Sequence, residues 1–297
     1  MSPLQSRFLL LLLLLSFGFT PTLCLGAGPT AGEYGVVLNL SGKQRMLTQK
    51  MSKEVMLIAL GVETEKNLGN LSATAALFDK TLKGLRDGDA TLNLPPTSSK
   101  RIIKQLDRIN TRHWQGFNKT IQEILGAKSV SKAQVAVIAT TNIPLLKQMN
   151  KCVKLYEKDA SSAGLKADPS LAVMINLAGK QRMLTQKMSK EFLLVAYGYQ
   201  TEDNKLNLFE TSTLFERTLK GLQDGDDTLD LPGTQNPAIR TQLEVVTNLW
   251  TAFKPIIEKA ATSTATPSPE EVKILADQNL PLLKEMNRGV KMFEKEA

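Results

Sequence analysis

The chain has 297 residues, of which 42% are hydrophobic and only 5% aromatic, and 37 Lys and Arg stand against 29 Asp and Glu. The formal charge of +8 favours anionic ligands or acidic surfaces as partners. Nucleic acid is a poor fit, because the basic residues are scattered along predicted helices without interleaved aromatic side chains.

The first 27 residues have the three parts of a secretory signal: MSPLQSRF, an apolar run from Leu9, and Pro21 followed by small residues to Ala27. We expect cleavage between about Cys24 and Ala27, which leaves a periplasmic or secreted protein. The alternative is an uncleaved amino-terminal anchor, although the apolar run falls short of the ~20 residues of a spanning helix. If Cys24 is removed, Cys152 is alone and no internal disulfide is predicted.

One stretch of the chain occurs twice. The segment from Asn39 to Glu54 reads NLSGKQRMLTQKMSKE, and the segment from Asn176 to Glu191 reads NLAGKQRMLTQKMSKE. The two copies are identical from Gly42 and Gly179 onwards, whereas the sequence further along each copy has diverged. A requirement beyond folding therefore constrains this segment.

On a helix, where each residue turns by about 100°, the repeated stretch has two faces. The first is an apolar stripe with alternating spacings of 3 and 4, typical of coiled-coil and bundle cores; it comprises Val37, Leu40, Gln44, Leu47, Met51, Val55 and Ile58. The second is apolar at both ends and polar in the middle; it comprises Leu38, Ser41, Arg45, Thr48, Gln49, Ser52, Met56 and Ala59, and in the second copy Ile175, Ala178, Arg182, Thr185, Gln186, Ser189, Leu193 and Ala196. A solvated face would carry Lys and Glu along its length. The second face therefore predicts another helix–helix interface with a cationic pocket midway, and Gly42 and Gly179 would let a partner backbone approach.

Three more amphipathic helices follow in each copy. The second ends at Asp87-Gly88-Asp89, the third follows Pro95-Pro96, and the fourth contains Pro144 as a predicted kink. The pattern returns at an offset of 137 residues, with one residue lost near the third helix, so that Trp250 matches Trp114. With Asp159 to Ser170 as a linker, the sequence predicts an all-α fold of two tandem antiparallel four-helix bundles, residues 33–158 and 170–297.

The repeated motif resembles the first helix of the periplasmic sensor domain of the PilJ family, found at the amino terminus of type IV pilus chemotaxis transducers. It is similar also to NarX-like nitrate and nitrite sensor kinases. The resemblance implies a bundle whose first helix pairs with that of a second bundle, with small oxyanions bound between Arg45 and Arg182. The neighbouring residues implied to form the site are Ser41, Gly42, Thr48, Gln49, Gly179, Thr185 and Gln186. A second membrane span, a signalling helix and a kinase are not recognisable in the sequence, which argues against direct signal transduction.

Other candidate sites are weak. The Asp-Gly-Asp turns lack the closing glutamate of a calcium loop, so we interpret them as helix ends. His113 is the only histidine, which leaves no metal or catalytic triad to assemble. Cys152 and the two tryptophans fit buried core positions. We expect no enzyme activity, no metal and no cofactor.

Two functions remain open. In the first, the exported protein binds a small inorganic oxyanion of the nitrate and nitrite class between its two first helices. In the second, it is a non-enzymatic periplasmic adaptor that docks a membrane sensor, chemoreceptor or pilus component, and the arginines are structural. The two first helices would pair as a pseudo-two-fold within one chain, or else like copies would pair in a homodimer.

Overall fold

The computed structural model describes residues 30–162 and 169–296, which form helices without a strand in those ranges. The predicted signal segment lies outside the described residues. In the first repeat the helices are α1 (Ala31–Ala59), α2 (Thr64–Asp87), α3 (Lys100–Ile109), α4 (Gln115–Ala127) and α5 (Lys132–Ser162). In the second they are α6 (Pro169–Tyr197), α7 (Thr201–Asp224), α8 (Pro237–Thr262) and α9 (Pro269–Glu296). The predicted all-α fold of helical bundles is confirmed.

The Asp-Gly-Asp segments end the second helix of each repeat. Gly88 and Gly225 follow α2 and α7 with φ angles of 85° and 96°, a region that favours glycine. Asp89 and Asp226 then cap short 3₁₀ turns with their side chains. The interpretation of these segments as helix ends is confirmed.

The third helix of the first repeat contains the extra residue noted in the sequence. A π-helical turn, Asn110–Trp114, joins α3 to α4, whereas α8 runs unbroken through the matching region. A π turn takes in one more residue without changing the faces of the flanking helix. Trp114 and Trp250 are therefore both buried, with ring centroids 4.4 Å from Phe78 and 5.0 Å from Phe215.

The connection between the repeats is shorter than predicted. Helix α5 continues to Ser162 and α6 begins at Pro169, so the linker prediction of Asp159 to Ser170 was too wide at both ends. Asp159 pairs with Arg101 of α3 and Ala160 is buried, which keeps the last turn of α5 packed on its bundle. Helix α5 also runs through Pro144.

Helices α1 and α6 lie at the centre of the molecule. Each packs against two helices of its own repeat, and the two also pack extensively against each other. Hydrogen bonds join Arg45 to Asn176 and Lys53 to Asn279, which in turn contacts Ser189. The contact points on α6 therefore advance in the same direction as those on α1, so the two helices run parallel. We call the α1/α6 interface the seam. Within the described ranges, none of the helices combines the length and the apolar character that crossing a bilayer requires.

Candidate functional site

The two arginines of the repeated motif meet in the seam. Arg45 and Arg182 are 7% and 3% exposed, although each carries a guanidinium that would normally reach water. The face predicted to form a second helix–helix interface does so, and its central arginines come from the two copies within one chain.

Each arginine bonds to the other repeat. Arg45 Nη2 donates to Asn176 Oδ1 at 3.2 Å, and Arg182 Nη2 donates to Asn39 Oδ1 at 3.3 Å. These two bonds are related by the pseudo-two-fold axis, because Asn39 and Asn176 are matching residues of the two copies. The two copies thus complete one another's polar contacts.

Each arginine also bonds to the fourth helix of its own bundle. Arg45 Nη1 donates to Asn150 at 3.4 Å, and Arg182 Nη1 donates to Asn287 at 3.0 Å. Arg45 Nε donates to the Gly42 carbonyl at a long 3.4 Å. Side-chain amides and one carbonyl, rather than carboxylates, therefore hold both guanidinium groups.

These contacts leave guanidinium donors over. A guanidinium has five N–H donors, and within the described part of the chain Arg45 forms three hydrogen bonds and Arg182 two. The Arg182 Nε group is buried and has no hydrogen-bond partner among the described residues. Buried donors without acceptors are costly, so this is an environment with a surplus of N–H groups and of positive charge.

The charge of the site is only partly balanced. Burial lowers the pKa of Arg182 to about 10, with Glu294 opposing the change and Arg45 adding to it. Burial also lowers the pKa of Arg45, against the effect of Glu157. Both arginines remain charged at neutral pH, and the charge of Arg45 disfavours the charged form of Arg182.

The two glycines leave space beside the guanidinium groups. A Cβ added at Gly42 would lie 3.4 Å from Arg45 Nη2, and one at Gly179 would lie 3.5 Å from Arg182 Nη2 and 3.9 Å from Arg45 Nη2. The nearest atoms are thus arginine side chains and not the partner backbone that we expected. Glycine at these positions keeps a methyl group away from the charged ends.

The other predicted site residues lie in the same seam with their own partners. Ser41 donates to the Leu38 carbonyl of its helix. Thr48 and Thr185 donate to the carbonyls of Arg45 and Arg182, and their hydroxyls accept from Gln49 and Gln186 respectively. Both glutamine Oε1 atoms are buried without a donor in the described ranges. In the described part of the chain, no hydrogen bond connects these side chains to a guanidinium group, so they form the next polar layer along the seam.

Two fully buried lysines form a further layer that sequence reasoning missed. Lys53 Nζ donates to Asn279 Oδ1 at 2.8 Å, and Lys190 Nζ lies 3.5 Å from Asn142 Oδ1, so each lysine reaches the fourth helix of the other repeat. Asn142 and Asn279 in turn donate to Ser52 and Ser189 at 2.7 Å. The signal for this layer was present, because both lysines lie in the identical stretch and the asparagines match at the repeat offset.

One known protein family matches both repeats of the chain. The family model described as the amino-terminal domain of type IV pili methyl-accepting chemotaxis transducers, PilJ, matches residues 32–140 and again residues 166–272. The chain belongs to the PilJ family. Each match runs from the first helix of one structural repeat into the beginning of its fourth helix, α5 or α9, so the resemblance seen in the motif is confirmed. Chemotaxis transducers are sensory proteins, and the PilJ region is their sensory, non-catalytic part.

Part of the chain is also similar to a chemotaxis receptor. The chain is 26% identical over 125 residues to the methyl-accepting chemotaxis protein McpN of Pseudomonas aeruginosa, a match that covers 42% of this chain. The match spans 22% of McpN, so the chain corresponds to about a fifth of that receptor. The similarity to a methyl-accepting chemotaxis protein agrees with the family match.

Proposed function

We propose that this protein is an exported PilJ-type sensory protein that binds a small oxyanion of the nitrate and nitrite class between Arg45 and Arg182. The observation that carries the proposal is the pair of buried guanidinium groups, which face one seam from two repeats with N–H donors left over. A planar oxyanion can accept from both groups at once.

The chemistry of the site favours this ligand class over others. Guanidinium groups recognise planar oxyanions through paired, charge-assisted hydrogen bonds, which a lysine cannot reproduce. Across the seam, the acceptors of the guanidinium groups are the amide oxygens of Asn39 and Asn176. Rotation of the Asn176 amide would turn its NH₂ group towards a bound anion. The NH₂ group of Asn39 donates to Glu294 at 3.2 Å, so rotation of that amide would break this bond. The site therefore suits a small anion that replaces amide oxygens, and Gly42 and Gly179 leave it room.

One chain supplies both halves of the site. A single bound anion would join α1 to α6 and tighten the contact between the two repeats. Such a change in the seam is a signal that a membrane chemoreceptor could read, and we propose a receptor of this kind as the partner. Binding and docking would then be two parts of one sensory function in the periplasm.

The test is calorimetry and thermal unfolding of the purified chain with sodium nitrate, nitrite, chloride and sulfate. Nitrate or nitrite should bind and stabilise the fold by about RT ln(1 + [L]/Kd), roughly 2.7 kcal/mol at a hundredfold excess over Kd. Arg45→Ala and Arg182→Ala should each abolish this stabilisation. Without anion, each variant should unfold at or above the wild-type temperature, because the repulsion between the arginines is gone.

The control is Arg112→Ala, which removes an exposed arginine and should leave anion binding intact. If no oxyanion binds at millimolar concentration, or if either seam variant binds as the wild type does, the shared-arginine site is wrong. The bonds from the arginines to Asn39 and Asn176 would then be structural cross-links, and the adaptor hypothesis would replace the binding hypothesis.

A further inference from the structure

The lysine layer of the seam lies outside the oxyanion site proposed between Arg45 and Arg182. Lys53 and Lys190 are 4% and 3% exposed, and such burial is rare for lysine. Each is eight residues beyond an arginine of the site, on the same helix, which corresponds to about 12 Å along the axis. The seam therefore contains two cationic layers, one at the arginines and one at the lysines.

The lysine layer determines which residues face one another across the seam. An ammonium group can only donate, so it requires the Oδ1 atom of an asparagine. Asn279 is held in that orientation because its Nδ2 donates to the Thr185 carbonyl and to Ser189. Asn142 is held in the same way by the Thr48 carbonyl and Ser52. A shift of α1 along α6 would break these contacts and would also separate Arg45 from Arg182.

The charges around the two lysines do not neutralise them fully. Burial lowers the pKa of Lys53 and of Lys190 to about 8, with the adjacent glutamates opposing the change. The helices α5 and α9 contribute the uncharged Asn142 and Asn279 to this layer. Lys190 lines a groove of about 300 Å³ that residues of both repeats form. The charged groups that face the layer are Lys50 and Glu54 on α1, Lys187 and Glu191 on α6, and Asp203 on α7.

We propose that Lys53 and Lys190 are positioning residues of the oxyanion site, which hold Arg45 opposite Arg182 and take up protons when an anion binds. This inference rests on the proposed function. A negative charge about 12 Å away, at the effective dielectric constant of a protein, favours the charged form of each lysine by about one pKa unit. Lysines that are partly neutral above pH 8 would therefore gain protons on binding.

The number of protons that Lys53 and Lys190 take up depends on pH. At pH 8.5, a pKa that moves from about 8 to about 9 raises the protonated fraction of one lysine from about one quarter to about three quarters. The two lysines together would take up as much as about one proton per anion. At pH 6.5 both are protonated before binding, so the uptake should fall to nearly zero.

The experiment is isothermal titration of the two-repeat chain with sodium nitrate in two chloride-balanced buffers of different ionisation enthalpy. The dependence of the observed heat on the buffer gives the number of protons taken up. The wild type should take up about one half to one proton at pH 8.5 and almost none at pH 6.5. The double variant Lys53→Met with Lys190→Met should bind nitrate more weakly and without proton uptake.

A matched control separates these lysines from those nearer the arginines. Lys43 and Lys180 are half-buried, and burial together with the charges of Arg182 and Arg45 respectively lowers the pKa of each. The double variant Lys43→Gln with Lys180→Gln should keep the uptake at pH 8.5. If the control loses the proton uptake and the methionine variant keeps it, the protons bind to Lys43 and Lys180, and the proposal is overturned.

The remaining outcomes are also decisive. Nitrate binding without proton uptake at pH 8.5 would overturn the positioning proposal and leave the oxyanion site standing. Absence of nitrate binding at both pH values would overturn the oxyanion site, and this inference would fail with it. If the methionine variant does not fold, the wild-type uptake profile decides the matter, because it must peak between about pH 8 and 9 for the lysines to be responsible.

Discussion

Replacing Lys53 and Lys190 by methionine should stabilise the protein at neutral pH. Both lysines have a pKa of about 8 in the fold against an ordinary value of 10.5, because burial disfavours the ammonium form. A difference of about 2.5 units corresponds to about 3 kcal/mol for each lysine when both states are protonated. Methionine fills a similar volume without a charge, and Asn279 Oδ1 keeps a second donor in Gln186. We expect a gain of a few kcal/mol, reduced by the lost hydrogen bonds.

The sign of the pH dependence follows from the lowered pKa values. Between about pH 8 and 10.5 the unfolded chain binds more protons at these two lysines than the folded chain does, so the lysines' contribution to stability rises with pH. From pH 7 to 9.5 the rise is about 2 kcal/mol per lysine and about 4 kcal/mol for the pair. The methionine variant should lack this rise.

Urea unfolding, followed by helical circular dichroism at pH 7, 8, 9 and 9.5, measures the effect as the difference between variant and wild type. The difference cancels the groups that titrate in the opposite direction, such as Cys152, whose pKa burial raises to about 12. The control Lys66→Met removes an exposed lysine and should give a difference close to zero at each pH. A variant less stable than wild type at pH 7, or a constant difference across the range, would show that the buried charges are compensated and that our reasoning is wrong.

Two further predictions use the differences between the repeats. Asp79→Ala should lower the free energy of unfolding by about 1–3 kcal/mol, because Trp114 Nε1 donates to Asp79 at 2.9 Å. Glu216 occupies the matching position of the second repeat and forms a surface ion pair with Lys254, so Glu216→Ala should cost less than about 1 kcal/mol. Equal losses in chemical denaturation would contradict this difference. Deletion of Thr111 should turn the π turn into continuous α-helix and keep Trp114 in the core, with a melting temperature within a few degrees of wild type. Deletion of Thr247 from α8 should rotate Trp250 by about 100° and abolish cooperative unfolding. The same effect from both deletions would contradict the assignment of the extra residue to the π turn.

Much of the fold could be predicted from the sequence because helix formation and helix ends depend on local chemistry. The spacing of Val37 to Ile58 predicts a buried stripe, and Gly88 and Gly225 predict helix ends, whatever the rest of the chain does. The duplicated motif also indicated Arg45 and Arg182, because each copy places an arginine at the polar centre of a helix face that is apolar at both ends. The single residue lost between the repeats was visible too, although its form as a π turn was not.

Only the tertiary structure decided which residues of the two repeats contact one another. Periodicity places Arg45 on a face but cannot say that Asn176 of the other repeat accepts its hydrogen bond, since that depends on which helix packs there. Likewise, Lys53 and Lys190 are charged residues that a sequence pattern assigns to solvent. They are buried because α1 and α6 run parallel and bring each lysine to an asparagine that is distant in the chain. The separation is 226 residues for Lys53 and 48 residues for Lys190. Contacts between residues so distant in sequence arise from packing, whose outcome no local pattern records.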